Sequence, residues 1–190
     1  MRPLRIELEG FSAYRDHTVV SFADGDLFAF VGPTGSGKSS VIDAITFALY
    51  GSVARYQNTN AVAPVVNAQS AEAKVRLDFE VNGVGYTAVR VVRRTKTGAT
   101  TKEARLERGN DVLAGDAGSL NDEIVKVLGL TFEQFTKTVV LPQGEFAAFL
   151  HAKASERQDL LVRLLDEQRP CQQYPTHPSR TDPHAWASRT

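Results

Sequence analysis

The run Gly32-Pro33-Thr34-Gly35-Ser36-Gly37-Lys38-Ser39 constrains this chain more than any other feature. It is a complete G-x-x-x-x-G-K-S. Its glycines let the backbone curl so that successive N–H groups point inward around phosphate oxygens. Lys38 can reach the outer phosphates as a point charge, and the Ser39 hydroxyl can ligate Mg²⁺. The context fits. Leu27–Val31 is a short apolar run that predicts a strand buried on both faces. Val41, Ile42, Ile45, Ala48 and Leu49 recur at helical spacing, which predicts a helix over Ser39–Tyr50 stopped by Gly51. Strand, loop and helix in that order aim the positive end of the helix at the bound anion. A glycine-rich turn that merely contains Lys would need neither element.

Elsewhere the pattern is strands and then helices. Leu4, Ile6 and Leu8 alternate with charged residues, and His17–Phe22 is a second strand candidate. Val75, Leu77, Phe79 and Val81 share one face of a strand that ends at Asn82-Gly83, a hairpin signal. Tyr86–Arg94 and Lys102–Glu107 continue the meander. Ser119 with Asp122, Thr131 with Gln134 and Ser155 with Gln158 resemble capping boxes of later helices. The stretch from Ser52 to Ala73 has no period and reads as a long loop. The expected class is α/β.

Composition removes several alternatives. No apolar run approaches the ~20 residues of a membrane span. The single cysteine, Cys171, makes neither an internal disulfide nor a zinc site. The four histidines lack companions at ligand spacing. Gln168–Thr190 contains no Leu, Ile, Val, Met or Phe but four of the eight prolines, so it is expected to be a disordered tail, foreign in composition to the rest.

Three strings point to a family: LRIELEGFSAYRD, LFAFVGPTGSGKSSVIDAITFALYG and VVLPQGEFAAFL. Together they resemble the N-terminal ATPase half of the SbcC-type coiled-coil ATPases, over about Arg2 to Leu165. The resemblance implies a P-loop ABC-type N-terminal lobe with an antiparallel β-meander and C-terminal helices. It implies ATP and Mg²⁺ as cofactors, held by Gly32, Pro33, Thr34, Gly35, Ser36, Gly37, Lys38, Ser39 and Ser40. Gln143, after Val139-Val140-Leu141-Pro142, matches the Q-loop glutamine that follows a strand, contacts Mg²⁺ and places the attacking water, so Lys38 and Gln143 are the catalytic candidates, and Ser39 and Gln143 the metal candidates. Ser12 and Ala13 fall where the family contacts adenine and ribose, although relatives often carry a longer basic residue in place of Ser12.

The signature loop, Walker B carboxylates and switch histidine of the superfamily have no match here. Leu160–Glu167 imitates a Walker B strand, but Arg163 breaks the apolar run, and Leu160, Leu161, Leu164 and Leu165 are spaced for a helix. The expected organisation is therefore an ATPase lobe over 1–153, the start of a coiled-coil helix over 154–167, and the tail over 168–190. Such a piece is expected to bind ATP without turning it over. The implied partners are a C-terminal ATPase lobe, an SbcD-like nuclease subunit, double-stranded DNA and a second head in an ATP-dependent head-to-head homodimer, with no membrane, in the cytoplasm at the nucleoid. The implied role is the ATP-binding half of a DNA double-strand-break repair ATPase that gates its nuclease.

Charge offers a DNA face. Between Tyr86 and Arg108, seven basic residues, among them Arg90, Arg93, Arg94, Lys96, Lys102 and Arg105, stand against Glu103 and Glu107. A hairpin so charged could lie over a phosphate backbone without reading bases, or be a solvated sheet edge. The alternative function is a chromosome-organising clamp of SMC or RecN type. That family usually has Asn in place of Thr34 and a different helix after the loop.

Overall fold

The structure is a computed structural model, described over residues 1–22, 25–55 and 63–140. Asn82-Gly83 sets the register of its sheet. Both residues have positive φ, 52° and 79°, the geometry of a two-residue turn whose twist matches its flanking strands. It joins β3 (Glu72–Val81) to β4 (Val84–Thr95), with Val81 opposite Val84. The same ladder then places Leu77 opposite Ala88 and Val75 opposite Arg90. β5 (Gly98–Arg108) returns along β4, and β6 (Asp111–Ala114) closes that edge. On the other side β1 (Arg2–Glu9) runs antiparallel to β3, with β2 (Thr18–Ser21) outside it. The expected meander and the N-terminal strands thus form one sheet, ordered β2-β1-β3-β4-β5-β6.

One face of this sheet is the core. Ile6, Leu8, Val75, Leu77, Phe79, Ala88, Ala104 and Leu106 are buried on it. α1 (Lys38–Tyr50) lies against β3 and β4 and is buried nearly all round from Val41 onward, with Phe47 packed on Phe11 at 5.4 Å between ring centres. Gly51 ends α1 at φ 70°, its N–H donating to the Phe47 carbonyl at 2.8 Å. α2 (Ala117–Leu128) packs through Leu120 and Ile124.

The caps are half as expected. Thr131 and Gln134 form the reciprocal box at the start of α3 (Phe132–Phe135). Ser119 is not the cap of α2. Asp116, three residues upstream, accepts from the amides of Gly118 and Ser119 and from the Ser119 hydroxyl, so the helix begins earlier. A carboxylate at that end also suits the helix dipole better than a hydroxyl.

Two expectations fail for one physical reason. Leu27–Val31 pairs with nothing among the described residues and is exposed, Leu27 to 94% and Val31 to 92%. Val139 and Val140, expected to belong to a strand leading to Gln143, instead close a π-helical turn over Thr136–Val140. A strand buried on both faces needs neighbours to share its hydrogen bonds and layers to cover it. The antiparallel strands obtain their neighbours from adjacent hairpins, whereas these two segments find none among the described residues. Gln143, the helix expected from Ser155 and the tail lie outside those residues.

Candidate nucleotide site

The loop between Val31 and α1 has the shape its sequence requires. Gly35 and Gly37 sit at φ 86° and 89°, a region L side chains avoid. Gly37 is also the N-cap of α1, and space is short there. A Cβ on Gly37 would lie 3.1 Å from the Tyr14 ring and 3.2 Å from the Ala13 Cβ. The first turn of α1 carries no acidic residue, so its free N–H groups and dipole present an undiluted positive end. Lys38 folds its ammonium back over the loop, donating to the carbonyls of Gly32 and Pro33 at 2.7 Å each. It therefore stands at the mouth of the loop. The Ser39 hydroxyl beside it is exposed, whereas Ser40 is buried and hydrogen-bonded to Ser12 through its Oγ at 3.0 Å. Ser40 is thus a strut of the site. A helix N-terminus, one ammonium and one exposed hydroxyl suit a magnesium-bound polyphosphate.

The turn after β1 stands against this loop. Ser12 sits at φ 50°, Ala13 is exposed, and the Tyr14 hydroxyl donates to the Gly37 carbonyl at 3.3 Å. Tyr14 carries no periodic signal in the sequence, so only the fold reveals it. The same holds for Asn67, whose Nδ2 donates to the Ser12 carbonyl at 2.7 Å.

Asp43, the first carboxylate along α1, pairs with Arg55. Burial pushes its carboxyl up from 3.8 to about 6, against the pull of Arg55. Between those two values the folded protein holds a proton that the unfolded chain has lost. Stability should therefore fall as pH rises from about 4 to 6 and then level off. Asp43→Asn should remove this step, so thermal melting at pH 5 and pH 7.5 should show wild type losing ground to the variant at the higher pH. Parallel pH profiles would refute the assignment.

The basic meander is not the free surface its composition suggests. Arg90 is 2% exposed and cannot touch DNA. Its Nε donates to the Ala48 carbonyl at 2.9 Å, and its Nη2 to the Leu49 carbonyl at 2.8 Å and to Asn121 Oδ1 at 2.6 Å. Desolvation holds its pKa down at about 10. Arg94 donates to the carbonyls of Val66 and Asn67. Arg93 and Lys102 both pair with Glu72, at 3.2 and 3.6 Å, and Arg105 pairs with Glu107 at 3.1 Å. The hydrogen bond from Arg93 keeps the Glu72 carboxyl below its ordinary range. Lys96, exposed in the β4–β5 turn, keeps the open setting expected of it. Part of the excess of charge counted along β4 and β5 is met by Glu72, supplied by β3.

The AAA domain family matches residues 5–173. The chain belongs to it. This AAA domain is 44% identical over 167 residues to the SbcC subunit of the SbcCD nuclease of Deinococcus radiodurans, covering 86% of the chain and 18% of that protein. It is 39% identical to a probable DNA double-strand break repair Rad50 ATPase of Aquifex aeolicus, covering 87% of the chain and 16% of the relative. The AAA domain chain thus spans less than a fifth of the length of these relatives. A solved structure from work on ATP-driven dimerization and DNA stimulated activation of SMC ATPases superposes with a TM-score of 0.59. That match covers 86% of this chain and 99% of the other at 22% identity, which shows the shared fold. The SbcC-type resemblance and the P-loop α/β class read from the motifs therefore stand. No helix among the described residues of the AAA domain is long and apolar enough to cross a membrane.

Proposed function

We propose that this AAA domain binds Mg-ATP as the N-terminal lobe of a DNA-repair ATPase head of the SbcC type. One observation carries the reading: the glycine loop is formed at a helix N-terminus without acidic residues, with the Lys38 ammonium folded back on the loop carbonyls. The SbcC and Rad50 relatives supply the biological class. In this reading Lys38 and the loop amides hold the phosphates, Ser39 and Gln143 hold Mg²⁺, and Gln143 orients the attacking water. The turn at Ser12 and Ala13 faces the nucleoside. ATP supplies the transferable phosphoryl group.

The exposed Leu27–Val31 run supports a second lobe. Five consecutive residues with strand character, next to the phosphate loop and without a strand neighbour among the described residues, suit flanking strands from a C-terminal ATPase lobe. Residues 1–153 then form the lobe, 154–167 begin a coiled coil, and 168–190 are a tail. ATP would join two such heads and gate an SbcD-like nuclease on double-stranded DNA, in the cytoplasm at the nucleoid. With Arg90 buried, the DNA contacts fall to Lys96 and the rims around Arg93, Lys102 and Arg105.

Titration calorimetry tests the core of this. Mg-ATP should bind the wild-type chain measurably, and Lys38→Ala should weaken binding by about tenfold or more, the size of one charge-assisted phosphate contact. Equal affinities in the two proteins would refute the nucleotide reading.

A further inference from the structure

Ser12 is held from two sides. Toward α1 its hydroxyl meets Ser40. On its other side both of its backbone groups are taken by residues 65–67, at and just after the end of the 3₁₀ turn Ala63–Val65. The Ser12 N–H donates to the Val65 carbonyl at 2.7 Å, and the Ser12 carbonyl accepts from Asn67 Nδ2 at 2.7 Å. Asn67 also donates its own N–H to the Gly10 carbonyl at 2.8 Å. The turn that flanks the phosphate loop therefore takes its position from residues 65–67.

That segment has little regular structure of its own to fix it. Apart from a single bridge between Phe11 and Val66 it belongs to no strand. Val65 and Val66 are buried in the core, and the polar anchor of their backbone is Arg94. From near the end of β4 the guanidinium donates through Nη2 to the Val66 carbonyl at 2.7 Å and the Asn67 carbonyl at 3.2 Å, while the Arg94 N–H donates to the Ala71 carbonyl at 2.8 Å. A planar, permanently charged donor suits two neighbouring carbonyls better than an ammonium does.

We infer that Arg94 is a positioning residue for the nucleoside side of the site, acting through Asn67 on the Ser12 turn. This rests on the nucleotide reading above. It also turns an arginine that composition assigned to DNA into part of the nucleotide machinery. The phosphate loop itself has no contact with Arg94, so the two halves of a nucleotide should respond differently to its loss.

The test compares Mg-ATP with inorganic tripolyphosphate and Mg²⁺, measured by calorimetry on the whole chain. Arg94→Gln should weaken Mg-ATP about fivefold to twentyfold, and tripolyphosphate less than about twofold, since only the phosphate loop holds it. Arg94→Lys should recover part of the loss by serving one carbonyl. Asn67→Ala, which leaves Arg94 in place, should reproduce the ATP-selective loss, so the test survives if Arg94→Gln unfolds. Equal losses for both probes, or unchanged Mg-ATP affinity in Asn67→Ala, would overturn the inference while the nucleotide reading stood. A wild-type chain that binds neither probe would overturn both.

Discussion

Replacing Arg90 with alanine should destabilise this AAA domain by about 3–5 kcal/mol, one of the largest effects open to a single substitution. The last carbonyls of a helix have no partner within it. In α1 the Phe47 carbonyl is met by the Gly51 N–H, and those of Ala48 and Leu49 are met by Arg90. Alanine would leave both unsatisfied in the core, strip Asn121 Oδ1 of its donor and open a cavity. Each unmet buried group costs roughly 1–3 kcal/mol. The gain from no longer burying a charge, visible in the depressed pKa of about 10, works the other way and limits the total. The negative end of the helix dipole supplies part of that charge's compensation. At ~2–4 °C per kcal/mol for a chain of this size, the melting temperature should fall by about 10 °C. Arg90→Lys should fall in between, because one ammonium can serve part of the set. A drop of only a degree or two in Arg90→Ala would mean that water replaces the guanidinium at little cost.

Arg90 also shows how far the sequence could be read. Along β4 the apolar residues occupy both parities, Val89 and Val91 on one face and Ala88 and Val92 on the other, so β4 alone does not say where Arg90 points. The neighbouring strand does. Val75, Leu77 and Phe79 mark the core face of β3, and a two-residue turn at Asn82-Gly83 places Val81 opposite Val84. Counting back puts Arg90 opposite Val75 on the inside and Arg93 opposite Glu72 on the outside. The buried clamp and the neutralised arginine were both implicit in that turn. A charge count along one segment misses them because it ignores the strand next door.

Other features depended on local chemistry and were legible at once. The phosphate loop, the stop at Gly51 and the Thr131 box are each decided within a few residues. The Asp116 cap was missed because Ser119 imitates it three residues later. Leu27–Val31 and Val139–Val140 were misread for a different reason. Their strand character is real, but strand formation depends on partners, and none is present among the described residues. Tyr14 and Asn67 were beyond sequence reasoning, since their roles exist only once the Ser12 turn is laid against α1 and residues 65–67.

That turn should also be the place where adding a single methyl group does the most damage. Gly10→Ala is expected to cost about 2–5 kcal/mol, and the reason separates into two parts. Gly10 sits at φ 64°, where an L side chain pays roughly 1–2 kcal/mol. A Cβ there would also lie 2.1 Å from the Glu72 carbonyl oxygen, which is backbone at the start of β3 and cannot swing aside. Relief requires β1 and β3 to separate or the turn to move, which adds about 1–3 kcal/mol. Gly83→Ala isolates the first part. Its φ is 79°, in the same region, but nothing lies within 4 Å of the added Cβ. Gly83→Ala should therefore cost only about 1–2 kcal/mol, and the difference between the two variants measures the clash. The extra cost should carry a functional trace. The Gly10 carbonyl accepts from the Asn67 N–H, and the Gly10 N–H donates to the Arg15 carbonyl at 3.0 Å, so any displacement of Gly10 moves the Ser12 turn. Mg-ATP affinity should fall in Gly10→Ala and hold in Gly83→Ala when both are measured well below their melting temperatures. If chemical denaturation shows the two substitutions to be equally costly, the close approach of Gly10 to β3 is not a constraint on the protein in solution.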